Sequence, residues 1–165
     1  MKLKLTLIAL LATTAPAFAA GDAAKGEAVF KTCQTCHVIA DDAGNVLAGK
    51  AAKTGPNLYA VVGRVAGSLE GFKYGEDLIA AGAGGLVWDE VQLVEYVQNP
   101  SGFLKTVLDD KGAKGKMQFQ VKDATKAADV VAYIASLTPV AAPADAAAAP
   151  AATDATVAPV APATP

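Results

Sequence analysis

The sequence predicts an all-α fold, one small helical domain with long loops. Three segments carry apolar residues at helical spacing behind capping residues, strand-like alternation is weak throughout, and Gly-rich stretches separate the helical segments. Asp22 caps a first helix that carries Gly26, Val29, Phe30 and Cys33 toward one side, with Gly26 and Phe30 four apart and stacked on one face. A second clear helix follows Trp88: Asp89 caps it, Gln92 sits where a reciprocal capping partner belongs, and Val91, Val94 and Val97 form its apolar stripe. Asn99-Pro100 ends it. The last helix begins at Asp123, repeats Ala127, Val130, Val131, Ile134 and Leu137 at helical spacing, and stops at Thr138-Pro139. Shorter helices are expected around Gly75 to Ala81 and Gly102 to Leu108.

The ends of the chain differ from this middle. Residues 1–20 carry Lys2 and Lys4, the apolar run Leu5 to Ala12, and the small-residue stretch Ala17-Phe18-Ala19-Ala20, the pattern of a secretory signal peptide. Cleavage is expected after Ala19 or Ala20, giving a soluble exported protein, periplasmic in a Gram-negative source. Residues 139–165 hold thirteen Ala and six Pro, no aromatic residue and no Lys or Arg. Such a segment has almost nothing to bury and is expected to be a disordered tail. The folded part is then residues 21–138, enough for one domain with one core.

Within that domain the densest chemistry is Cys33-Gln34-Thr35-Cys36-His37. Two thiols three apart can each add to a vinyl group of one porphyrin, and the adjacent imidazole can bind its iron, so the motif points to a covalently attached haem. Other uses of the pair fit less well. A disulfide-exchanging dithiol is expected near a βαβ pattern, a structural zinc site needs four ligands where two Cys and one His supply three, and a disulfide across so short a loop constrains little. His37 is the sole histidine of the chain, which excludes a bis-histidine haem. Met1 and Met117 are the only methionines, and Met1 lies in the removable segment. If the iron has a second, soft protein ligand, it is Met117. The residues around it, Gly112, Lys114, Gly115 and Lys116, read as a loop, where a lone methionine either binds the iron or packs on a nearby surface.

Gly26-x-x-x-Phe30, Cys33-x-x-Cys36-His37, Thr54-Gly55-Pro56-Asn57-Leu58, Gly63-Arg64, Gly71-Phe72-Lys73-Tyr74, Trp88, Tyr96, Asn99-Pro100, Lys116-Met117 and Tyr133 follow one another in the chain. This series resembles the class I c-type cytochromes, and the long loops after His37 and before Met117 look most like the bacterial cytochrome c2 and cytochrome c-550 group. The resemblance covers residues 21–138 and implies the cytochrome c fold, with loops wrapped around one covalently bound haem c. It implies thioethers at Cys33 and Cys36 and axial ligands His37 and Met117. It also implies that the Pro56 carbonyl accepts from the non-ligating nitrogen of His37, and that Arg64, Tyr74 and Trp88 donate toward the haem propionates. Tyr96 would sit near the Met117 sulfur, and Phe119 would shield the haem edge.

With both axial positions filled, no substrate reaches the metal, and the implied activity is one-electron transfer rather than enzymatic turnover. An easily displaced Met117 would instead leave an iron open to a small gas or a peroxide. The whole chain carries a net charge of −2, and losing residues 1–20 removes Lys2 and Lys4, giving −4. Lys105, Lys111, Lys114, Lys116, Lys122 and Lys126 nevertheless crowd one stretch, and Lys53 lies on the loop after the haem motif. They are expected to form a local positive ring that steers docking to acidic surfaces. An acidic exported haem domain is a poor match for nucleic acid. By resemblance, a monomeric carrier would take electrons from the cytochrome bc1 complex. It would pass them to a photosynthetic reaction centre, a terminal oxidase or a periplasmic reductase.

Overall fold

The computed structural model describes residues 21–50 and 52–138; the expected signal peptide and the Ala/Pro-rich tail lie outside the described residues. In chain order the elements are α1 (Ala23–Phe30), β1 (Val38–Ala40), β2 (Val46–Gly49), α2 (Glu76–Ala83), α3 (Glu90–Gln98), α4 (Pro100–Val107) and α5 (Ala124–Ser136). Helices dominate, as expected, and long irregular loops join them.

Each principal helix starts where a short acidic side chain can take orphan backbone donors. Asp22 accepts from the amides of Ala24 at 3.0 Å and Lys25 at 3.2 Å. Asp123 accepts from Lys126 at 3.1 Å. At α3 the bonding is reciprocal: the Gln92 amide donates to Asp89 at 2.7 Å, and the Gln92 side chain accepts from the Asp89 amide at 3.2 Å. Eight or nine residues are too few for a stable isolated helix, so α1 to α4 depend on packing.

That packing centres on the crossing of α1 and α5. Gly26 and Phe30 are buried on α1, and Ala127, Val130, Val131 and Ile134 are buried on α5. The backbones meet so closely at Gly26 that a Cβ there would lie 2.0 Å from the carbonyl oxygen of Asp129. Only glycine admits that approach. The Phe30 and Tyr133 rings close the crossing at 5.5 Å between centroids. α3 packs beside α5, and Trp88, Tyr96 and Phe103 form an aromatic wedge with centroids 5.0 to 5.8 Å apart.

Three features depart from the sequence reading. A short antiparallel hairpin, β1 with β2, pairs Val38 with Gly49, Ile39 with Ala48 and Ala40 with Val46, with a bulge after Ile39. The expected stripe of α3 is also displaced. Val91 is exposed, Val94 and Val97 are half-buried, and the buried pair is Leu93 and Tyr96. Asn99-Pro100 ends α3 but immediately starts α4: the Asn99 side chain accepts from Gly102 at 3.0 Å, and Pro100 takes the first helical position, where its missing N–H costs nothing.

Candidate functional site

The Cys-x-x-Cys-His motif sits on helical winding that continues past the end of α1. The Cys33 amide donates to Phe30 O at 2.8 Å, Cys36 to Cys33 O at 3.1 Å, and His37 to Cys33 O at 3.0 Å. Residues three and four apart share a face in such winding, which gathers both thiols and the imidazole on one side. Both cysteines are free and half-buried, and Cys33 packs against the core.

The loop after residue 52 then runs alongside the motif and fixes the ring. Gly55 N donates to Cys36 O at 2.7 Å, and Leu58 N to Val38 O at 2.9 Å. The Asn57 side chain behaves like a third strand, accepting from Ala40 N at 3.0 Å and donating to Ala40 O at 2.7 Å. Arg64 secures the outer side of this loop, donating through Nη1 to Asn57 O at 3.0 Å and through Nη2 to Tyr59 O. The result is a clamp on His37. Its ring lies against Gly55, where an added Cβ would fall 2.5 Å from Cε1, and its Nδ1 is 2.9 Å from Pro56 O.

A carbonyl only accepts, so Nδ1 carries the proton and the Nε2 lone pair is left free. Burial holds the imidazole pKa below its usual value and so favours the neutral ring, while the Pro56 bond opposes the shift. Neutral imidazole is the form that ligates a metal. Burial also pushes the Cys33 thiol up. A disulfide-exchange thiol needs the opposite shift, so the surroundings of Cys33 do not suit redox exchange. Zinc fares no better: among the described residues no three His, Cys, Asp or Glu side chains converge closely enough to hold one metal ion, the two thiols and the imidazole sharing a side without converging on a point.

Met117 lies in irregular chain, half-buried against the same core that receives Cys33. The loop is tied down on both sides of it. Lys114 N donates to Asp77 Oδ2 at 2.7 Å, Gly115 N to Ser101 Oγ at 3.0 Å, and the Gln118 side chain to Gly115 O at 2.9 Å. Lys116 Nζ donates to the carbonyls of Lys73 at 3.2 Å and Tyr74 at 2.9 Å. Its ammonium is therefore held in place rather than free.

Tyr74 stands close enough to Tyr96 to affect its titration. Burial, then Tyr74, pushes the Tyr96 phenol up to about 12. Burial also raises Tyr74, while Arg64 opposes the rise. Trp88 is buried, and its backbone pairs with that of Arg64: Trp88 N donates to Arg64 O at 2.9 Å and Gly63 N to Trp88 O at 2.7 Å. Phe119 is 47% exposed. Lys53, Lys105, Lys114, Lys116 and Lys122 are all at the surface. Gly55 and Asn57 are the positioning residues that sequence reasoning assigned no role; both flank Pro56, and that adjacency was the available signal.

Known proteins resemble this chain over most of its length. The chain is 52% identical over 117 residues to the cytochrome c2 of Rhodovulum adriaticum, covering 71% of this chain and 93% of that relative. The chain belongs to the cytochrome c2 family. The cytochrome c-550 of Paracoccus denitrificans is 46% identical over 144 residues, covering 83% of this chain and 90% of its own length. The crystal structure of cytochrome c2 from Rhodobacter sphaeroides superimposes with a TM-score of 0.69 at 53% identity, covering 70% of this chain and 95% of that one. No family model matches. As a cytochrome c2 the chain has the class I cytochrome c fold, carries a covalently attached haem c, and serves electron transport as a mono-haem carrier. The free thiol pair beside a neutral, oriented imidazole fits that cofactor's demands.

Proposed function

We propose that this chain is a soluble, monomeric periplasmic shuttle and not an enzyme. It takes one electron from the cytochrome bc1 complex and delivers it to a photosynthetic reaction centre, a terminal oxidase or a periplasmic reductase. The observation that carries the reading is the clamped His37 ring, with Nδ1 bound at 2.9 Å to Pro56 O and Nε2 left for iron. The haem, when bound, supplies reversible one-electron Fe(II)/Fe(III) exchange.

The chain's own residues attach, orient and insulate that group. Cys33 and Cys36 would hold the haem through thioethers, and His37 and Met117 would hold its iron. In support, the helical winding puts both thiols and the imidazole on one side, and Met117 packs on the same core from a loop tethered at Lys114, Gly115 and Lys116. Pro56 holds the histidine tautomer and makes the ring a stronger donor to metal. Tyr96, raised to about 12, stays a neutral phenol in the core against which Met117 packs, and would lie near the methionine sulfur. Arg64 keeps further N–H donors beyond its two carbonyl bonds, and with Tyr74 and Trp88 it directs them to the propionates, which are costly to bury bare. Phe119 covers the edge on the methionine side. With both His37 and Met117 holding the iron, the metal would be closed to substrate, and the haem would supply one-electron transfer as the activity.

Docking is electrostatic, through Lys53, Lys105, Lys114, Lys116 and Lys122, against an acidic whole. Rapid mixing of the reduced protein with purified reaction centres, and separately with a terminal oxidase, tests both parts. The expected result is one-electron reoxidation whose second-order rate falls steeply as salt rises. A rate flat across salt contradicts the steering, and no reoxidation by any of these acceptors contradicts the carrier.

A further inference from the structure

Among the described residues Asp129 is the one buried charged side chain, 6% exposed, in the middle of α5. The established chemistry of the haem makes no use of it. Its Oδ1 accepts from the Asp22 amide at 2.7 Å, the single neutral donor recorded among the described residues for a group with about four acceptor positions. A buried carboxylate is costly unless a positive charge or several donors satisfy it. Gly21 is pressed into the same place. A Cβ there would lie 2.1 Å from Ala128 O and 2.6 Å from the Asp129 amide nitrogen, so this position admits nothing larger than glycine. Consecutive backbone nitrogens lie within about 3.7 Å of each other. With Asp22 N at 2.7 Å from Oδ1, the Gly21 nitrogen lies no more than about 6.4 Å from that oxygen.

We propose that removal of residues 1–20 leaves the α-ammonium of Gly21 as the ion-pair partner of Asp129, so that processing completes the junction of α1 and α5. This rests on cleavage after Ala20. One additional residue would move the charge about 3.5 Å along the chain to the next nitrogen and leave an uncharged amide at Gly21. The nearby cation is a poor substitute. Lys25 feels Asp129, but its strongest partner is Asp22 Oδ2 at 3.1 Å, and it is open to solvent. Glu27 on α1 and Lys126 on α5 are exposed. An opposite charge nearby favours the ammonium in the folded chain and raises its pKa above the usual α-amino range of about 7.7 to 8.0. The stabilisation is thus present below about pH 8 and is lost as pH rises through the raised value.

The test uses haem-loaded protein in three N-terminal forms: beginning at Gly21, beginning at Ala20, and beginning at an acetylated Gly21. Each is made with Asp129 and with Asp129→Asn, which keeps an oxygen to accept from Asp22. In the first form the Gly21 amine, followed by NMR, should hold its proton about tenfold more tightly than a free α-amine, and D129N should abolish the difference. Acetylation and the Ala20 extension should both lower the urea midpoint with Asp129 present and change it little in D129N. An amine titration unaffected by D129N, or a midpoint unmoved by acetylation, overturns the pair. Mass spectrometry of the exported protein separates the two premises: a chain beginning at Gly21 supports the proposal, and one beginning at Ala20 overturns it in the cell.

Discussion

Met117→Ala should lower the reduction potential by on the order of 0.1 V or more, a substantial part of the roughly 0.8 V over which axial ligands set haem potentials. A neutral thioether is soft and favours ferrous iron, so its loss, with water or a harder ligand in its place, stabilises the ferric form. Burial around Tyr96 and Trp88 adds to the same preference, because the ferric state carries one more positive charge into a poorly polarisable site. The variant should also bind added cyanide or imidazole that the parent excludes. Its fold should persist, since Lys114, Gly115 and Lys116 hold the loop through bonds that do not involve the methionine side chain. Potentiometric titration and ligand binding followed by absorbance check both effects. An unchanged potential would remove the axial bond from the account.

Gly26→Val should be the most damaging substitution for stability, costing about 3 kcal/mol or more. A side chain there meets a backbone carbonyl at 2.0 Å, which no rotamer relieves, so α1 and α5 must separate. Separation uncovers Phe30, Val130 and Val131 together. A haem on covalent links should stay attached through this loss, so the variant should remain coloured while its urea midpoint falls. A midpoint matching the parent's would contradict the close crossing.

Much of this was legible in the residues because it is local. Asp22, Asp89 with Gln92, and Asp123 cap helices through bonds spanning two or three positions, and the thiol pair with its histidine is read within five. The hairpin was not legible because Val38 to Ala40 and Val46 to Gly49 are short apolar runs without alternation. Pairing is imposed from outside by the Asn57 side chain and the Asp41–Asn45 turn. The buried face of α3 was misread for a related reason. On nine residues, the row Val91, Val94, Val97 and the row Leu93, Tyr96 both fit helical spacing, and only the neighbouring Trp88 and Phe103 rings select the second. The Arg64 clamp spans five to seven residues without a periodic pattern, while the influence of Tyr74 on Tyr96 and the buried Asp129 join residues far apart in the chain. No local pattern announces them.

The central claim is a haem held covalently by Cys33 and Cys36 and closed on both faces by His37 and Met117. It is tested most directly by the optical and near-infrared spectrum of the purified protein in both oxidation states, repeated after denaturation. The account predicts a low-spin ferric spectrum with the near-infrared sulfur-to-iron band, and a haem that stays with the denatured chain. A high-spin ferric spectrum at neutral pH, or a colourless protein with two titratable thiols, would contradict it.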